Sequence, residues 1–203
     1  MATTCVIGID EVGRGPLAGP LCVGACLVQK NRERVFLRTV RGIKDSKQLT
    51  AEKREEWFIA LTEAERRREC KWQTIFVSPV FIDRCGMAWA LRYAIRRVLQ
   101  KLGVSPKQAL VLLDGGIKAP TIFSSQKTII KGDEKISLIS AASIVAKVRR
   151  DRYMVRLAKR YPQYGFEKHK GYGTKKHYDA LEKHGISEVH RRSFLKKYIT
   201  YTL

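Results

Sequence analysis

The chain has 203 residues, enough for one domain, or one domain with an appendage, built on a full hydrophobic core. Hydrophobic residues make up 44% with a mean hydropathy of -0.26. No uninterrupted apolar run approaches the ~20 residues that cross a bilayer, so a membrane partner is not expected and the cytoplasm is the expected location. Forty Lys and Arg against 19 Asp and Glu give +21 and a pI near 10.1, which points to a polyanionic partner, nucleic acid before an anionic membrane. From Lys147 onward there are 16 Lys and Arg and 5 Asp and Glu, so +11 of the charge falls in a stretch threaded with aromatic and aliphatic residues. That stretch reads as a folded basic face, not a low-complexity tail. The five cysteines include no C-x-x-C pair and read as buried free thiols in a reducing compartment, with Cys22 and Cys26 on one face of a strand. The four histidines, from His169 on, lack the spacing of a zinc site.

In chain order, Cys5–Ile9 and Leu21–Val28 read as strands joined by a Gly/Pro loop that carries Asp10, Glu11 and Arg14. Neighbouring strand residues point to opposite faces, so Asp10 and Glu11 face one ligand only if the strand ends there or one lends its backbone carbonyl. Two carboxylates at a strand mouth suit a hard divalent cation; a plain surface turn is the alternative. Gly13-Arg14-Gly15 exposes amide N–H groups and lets a backbone approach an anion. Pro16, Pro20 and the strand-like run after them speak against a dinucleotide-binding turn. Lys44-Asp45-Ser46-Lys47 reads as a polar turn, and Thr50 as the N-cap of a helix from Ala51 to about Arg68 with Trp57, Phe58, Leu61 and Ala64 on one face.

Trp72–Val77 alternates as a strand does. Ser78-Pro79 opens a helical run carrying Met87, Leu91, Ala94, Val98 and Leu102 at helical spacing, stopped by Gly103. Ala109–Leu113 is a buried apolar strand that exits into Asp114-Gly115-Gly116, where the acid is either functional or a loop cap. Ile129–Asp133 leads into a helix from Glu134 to about Tyr161, ended by Pro162. Its first half is small and apolar, as tight packing on a sheet requires. Ser143, Lys147 and Asp151 form one stripe, open either to a site carboxylate or to a simple Lys147–Asp151 pair. Then come Gly171-Tyr172-Gly173 on a turn among lysines, a helix over Thr174–His184 stopped by Gly185, and a short element at Arg191–Tyr198. Tyr172 is either a ring offered to a sugar or base, or an ordinary surface tyrosine.

Together, GIDEVGRGPLAGP, DSK at Asp45–Lys47, LLDG at Leu112–Gly115, KGD at Lys131–Asp133, AASIVAKVRRD at Ala141–Asp151, HKGYGTKKH at His169–His177 and HRRSF at His190–Phe194 resemble ribonuclease HII over nearly the whole chain. Ser140 departs from that pattern, which usually has a third alanine there; only a slight effect on packing is expected. The resemblance implies an α/β fold: a ribonuclease H-like mixed sheet flanked by helices (residues 1–161), with a helical C-terminal extension (residues 162–203) that helps bind substrate. It implies that Asp10, Glu11, Asp114 and Asp151 are catalytic and hold divalent metal, Mg2+ or Mn2+, as two ions during catalysis. It further implies that Gly13, Arg14, Gly15 and Tyr172 read the substrate, that Lys47 contacts phosphate, and that the protein works as a monomer. The implied substrates are RNA–DNA hybrids and duplex DNA carrying single ribonucleotides, cut to 5′-phosphate and 3′-hydroxyl ends. Two rivals remain at this point. A non-catalytic nucleic-acid-binding protein explains the charge but not the acids. A junction resolvase of the same fold is opposed only by Gly-Arg-Gly and Gly-Tyr-Gly.

Overall fold

Two apolar runs near the N-terminus form the middle of a sheet. In the computed structural model, which describes residues 3–43 and 49–199, β1 (Cys5–Val12) and β2 (Leu21–Gln29) pair antiparallel from Cys5↔Gln29 to Val12↔Cys22. β3 (Lys71–Val77) adds antiparallel to β2, β4 (Ala109–Asp114) lies parallel to β1, and β5 (Gln126–Ile129) lies parallel to β4. The order β3-β2-β1-β4-β5 is a mixed sheet centred on β1. Strands covered on both faces need continuous apolar runs, and β2 is buried from Leu21 through Val28 accordingly.

Three apolar clusters hold the layers together. On one face, α4 (Met87–Leu102) sets Leu91, Ile95, Val98 and Leu102 in a core with Ile7, Ile9, Val23 and Val111. On the other, α6 (Ser137–Arg160) buries Ala141, Ala142, Ile144 and Val145, joined by Phe36 of α1 (Glu33–Thr39) and by Phe58 and Leu61 of α2 (Ala51–Arg66). Each fully buried Ile, Leu or Val stabilises the fold by ~1.5–3 kcal/mol, and the alanines let α6 lie close on β1 and β2. The third cluster joins Leu17 and Ala18 of the β1–β2 loop and Met154 and Leu157 of α6 to Tyr164, Phe166, Leu181 and Leu195. Residues after Pro162 therefore share a core with the loop that follows Asp10 and Glu11.

The structure corrects the elements read from sequence at several points. The β1 strand runs on through Asp10, Glu11 and Val12 instead of ending at Ile9. The run from Pro79 is two helices, α3 (Pro79–Cys85) and α4, broken at Gly86, whose φ of 80° lies in the left-handed region that glycine tolerates. Apolar spacing continues across that break, so periodicity alone joins the two. The helix expected from Glu134 is likewise split: α5 (Gly132–Lys135) ends where Ile136 turns extended, and α6 starts at Ser137. Ser140 ties the break, its buried hydroxyl donating to Asp133 O at 2.5 Å, a larger role than slight repacking. Two elements went unread: α1, in a stretch without strong periodicity, and the four-residue β5, whose Gln126 is half-buried and whose Lys127 and Thr128 are exposed. Thr50, Ser78 and Thr174 accept from the backbone N–H groups of Lys53, Phe81 and His177, as N-caps should. The remaining helices are α7 (Phe166–His169), α8 (Lys175–His184) and α9 (Lys196–Ile199).

Candidate active site at the ends of β1 and β4

The register of β1 explains how its two acids come to share a site with a third. Hydrogen-bonded pairing with β4 stops at Ile9↔Leu113, while pairing with β2 continues to Val12↔Cys22. One step past the last β4 pair, Asp10 falls beside Asp114. Asp10 shares the face of Val6 and Gly8, toward α6, where the Ser143 hydroxyl donates to it. Glu11 takes the opposite face. The strand does not end before the acids and they do diverge; the exit of β4 is what brings a third carboxylate near both.

The electrostatics are those of crowded anions. Asp10 is 3% exposed, and its pKa is pushed up to about 7, first by burial, then by the charge of Glu11, with Asp114 adding to the effect. Burial also raises Glu11; Arg14, whose Nη1 lies 3.2 Å from Glu11 Oε1, opposes that shift, and Asp114 adds to it. Among the described residues, the buried Glu11 Oε2 has no hydrogen-bond partner. Asp114 Oδ1 accepts from the Gly132 N–H at 2.6 Å, so the start of α5 orients it.

Asp151 stands apart from this trio. It lies on α6, and Lys147 Nζ sits 2.8 Å from its Oδ1, so the ion pair that the four-residue spacing allowed is formed. Burial lowers the Lys147 pKa, with Asp151 opposing that shift. Among the described residues, no three His, Cys, Asp or Glu side chains stand ready to hold a metal ion as they are. The donor set nonetheless fits a hard divalent cation: Asp114 helps raise the pKa of both Asp10 and Glu11, and one buried carboxylate oxygen of Glu11 has nothing to bind. Lys47 lies outside the described residues.

The structure also joins Gly13-Arg14-Gly15 to Gly171-Tyr172-Gly173. A methyl placed on Gly15 would stand 4.0 Å from Tyr172 Cε1, and the Tyr172 ring is 40% exposed. The Leu17 N–H and Ala18 N–H both donate to Gly171 O, at 2.8 and 3.3 Å. A Cβ on Gly171 would fall 2.4 Å from Ala18 O, and its φ is 86°, so only glycine lets the two loops approach this closely.

Two arginines that the sequence reading merged into the basic face turn out to be inside. Arg150 donates to Pro20 O (2.9 Å), Lys170 O (3.0 Å) and Ala18 O (3.4 Å). Arg191 donates to Gly13 O (2.7 Å), Arg14 O (2.9 Å) and Gly19 O (2.8 Å). Both are fully buried, and every partner is a carbonyl oxygen. Burial lowers both pKa values, that of Arg191 to about 9 with Arg150's charge contributing; at neutral pH each fork keeps the protons its acceptors need. Their sequence signal was present in VRRD and HRRSF, but charge alone could not say that these arginines point inward.

The histidines form a second scaffold under the Tyr172 turn. His177 Nδ1 lies 2.9 Å from Tyr172 O, a pure acceptor, so Nδ1 carries the proton. The Ser187 N–H donates to His190 Nδ1 at 3.0 Å, which leaves the His190 proton on Nε2, donated to His177 Nε2 at 3.2 Å. His169 stacks on His177 at 4.5 Å and accepts from the Gly171 N–H. Burial lowers both His177 and His190 to about 4, so both are neutral at pH 7.

A mixed sheet in the order β3-β2-β1-β4-β5, with acids at adjacent strand ends beside a cationic loop, defines a protein of the ribonuclease H-like fold. The family model described as Ribonuclease HII matches residues 7–197. The chain is 42% identical over 190 residues to a ribonuclease HII of Vibrio vulnificus, covering 94% of this chain and 86% of that one. Among solved structures it is similar to the ribonuclease H2 from Pyrococcus horikoshii OT3, with a TM-score of 0.76, 27% identity, and coverage of 97% and 98% of the two chains. Bst-RNase HIII, solved in complex with Mn2+, shares the fold at 19% identity and a TM-score of 0.70, over 98% of this chain and 70% of that one. The chain belongs to the ribonuclease HII family. It is a hydrolase, a nuclease of the ribonuclease H class.

Proposed function

We propose that the chain is an endonuclease that hydrolyses the RNA strand of RNA–DNA hybrids, and also cuts 5′ to single ribonucleotides in duplex DNA, leaving 5′-phosphate and 3′-hydroxyl ends. Asp10, Glu11, Asp114 and Asp151 are its catalytic carboxylates and hold divalent metal, Mg2+ or Mn2+. Bound there, a pair of such ions supplies a water of lowered pKa and takes up charge on the leaving oxygen. The observation that carries this reading is the convergence of buried Asp10 with half-buried Glu11 and Asp114 in a chain of net charge +21. Crowded, partly desolvated carboxylates repel one another, and a divalent cation relieves that repulsion.

The chain's own residues do the rest. Ser143 and Gly132 fix the orientation of Asp10 and Asp114 through hydrogen bonds. Lys147 holds Asp151 in place on a rigid helix through their 2.8 Å ion pair. Arg14, exposed apart from its pairing with Glu11, is free to exchange that carboxylate for a phosphate. The Gly13–Gly15 amides and the Tyr172 ring meet the sugar on either side of the cut, and the 2′-hydroxyl is the group they distinguish. Residues 162–203 act as an extension that carries Tyr172 and adds phosphate contacts, with Lys47 contributing from the first half of the chain. The test is cleavage of a labelled RNA–DNA hybrid with Mg2+: cutting that EDTA abolishes supports the reading, and tight binding without cutting at any divalent ion overturns it.

A further inference from the structure

A groove of about 670 Å3 runs between the outer face of α4 and the segment after β4. It borders the acids, because Arg14, which pairs with Glu11, and Gly116, two residues past Asp114, both line it. Trp89, Arg92, Tyr93 and Arg96 recur at i, i+3, i+4 and i+7 and so fall on one face of α4. The helix's inner face, with Ala90, Ala94 and Val98, is locked in the core, so the outer stripe is presented rigidly. The Trp89 indole is 59% exposed, Tyr93 is 39% exposed, and the Arg92 guanidinium lies 5.5 Å from the Trp89 ring centroid. Lys118 also lines the groove, and no Asp or Glu is among its described lining residues.

Solvent-exposed aromatic rings interleaved with cations, with no acid among the described residues lining the groove, match a sugar–phosphate strand, whose phosphates take the charges and whose bases or sugars take the Trp89 ring. We propose that this groove binds a strand of the substrate duplex flanking the cut, with phosphates on Arg92, Arg96 and Lys118 and a base or sugar face on Trp89. The inference rests on the nuclease reading above for the identity of the duplex. From Trp89 to Arg96 the helix rises about 10 Å. That matches about three nucleotide steps of a strand at 3.4 Å each.

Binding of an RNA–DNA hybrid of roughly 20 base pairs, long enough at 3.4 Å per step to span the acids and the groove, is measured in EDTA by anisotropy, alongside steady-state cleavage in Mg2+. Trp89→Ala should weaken binding roughly tenfold and raise KM by a similar factor, with a much smaller effect on kcat; Trp89→Phe should recover most of the loss. Arg92→Gln with Arg96→Gln should reduce the slope of log K against log[salt] by roughly two. The Trp89→Ala effect should vanish on hybrids shortened by more than about three base pairs on the flank that occupies the groove. Parent-like affinity and salt slope in these variants, with parent-like melting, would overturn the proposal. Because the binding measurements need no cutting, a chain that binds through the groove but never cleaves would defeat the nuclease reading and leave the groove standing.

Discussion

Asp10 is buried with two other acids acting on it, and that is why its substitution is informative. Asp10→Asn or Asp114→Asn should lower turnover with Mg2+ by roughly a thousandfold or more, the several kcal/mol that metal-assisted charge stabilisation supplies. The melting temperature in metal-free buffer should hold or rise, since one of three crowded anions is gone. A marked loss of thermal stability would assign the acid a structural role. Asp151→Asn should cost less, roughly tenfold to a hundredfold, because Asp151 is already paired with Lys147 and orients water more than it holds an ion. Equal losses at all four acids would remove that distinction. Arg191 is the other decisive side chain. Arg191→Lys keeps a charge but offers a point donor where a planar fork spans the carbonyls of Gly13, Arg14 and Gly19. Leaving buried acceptors unsatisfied should cost about 3 kcal/mol. That is a fall of about 6–12 °C in Tm for a domain of this size, read by thermal melting. A parent-like Tm would show that the fork is dispensable.

The short elements after α6 owe their arrangement to neutral histidines, which gives stability a defined pH dependence. His177 and His190 are fully buried with folded pKa values of about 4, below the ordinary 6.5. The unfolded chain therefore binds more protons between these values. Stability is intact above about pH 6.5 and is lost as pH falls toward 4, by on the order of 2 kcal/mol per histidine at pH 5. His190→Gln, whose amide can still donate to His177, should flatten that slope by one histidine's share. Denaturant unfolding between pH 5 and 7.5 measures it, and an unchanged slope would mean that the pair is not buried neutral. These elements also show how far a sequence carries. β1, β2 and β4 were legible because strands covered on both faces must be continuously apolar, and α2 and α8 because Thr50 and Thr174 cap them. Asp10, Glu11 and Asp114 stood out as charges that packing does not explain. The breaks at Gly86 and Ile136 were hidden, since apolar spacing runs on across both. The inward turn of Arg150 and Arg191 was hidden for a different reason: their partners are backbone carbonyls, all but that of Lys170 130 to 178 residues away, which leave no mark in side-chain pattern.

The charge of +21 acts through the whole surface, and its largest share lies in the stretch that folds back over the loop after β1. If the bound duplex neutralises ~4–6 phosphates, log K should fall against log[salt] with a slope of roughly −4 to −5. Lys175 and Lys176 are exposed at the start of α8, three and four residues after Tyr172. Replacing both with Gln should flatten the slope by roughly two without moving the cut; an unchanged slope places the binding face elsewhere. The central claim is that one assembly, the acids of β1 and β4 with the Gly13–Gly15 loop and the Tyr172 turn, both cuts and recognises a ribonucleotide. Single-turnover cleavage of a DNA duplex carrying one embedded ribonucleotide, mapped to the nucleotide, tests it most directly. The parent should cut once, on the 5′ side of the ribonucleotide, should spare the all-DNA duplex, and should stop in EDTA. Tyr172→Ala should slow that cut by roughly tenfold to a hundredfold, with Tyr172→Phe losing only the hydroxyl's share. Cutting of the all-DNA duplex at the same rate, cutting that persists in EDTA, or a Tyr172→Ala protein that cuts as the parent does would contradict it.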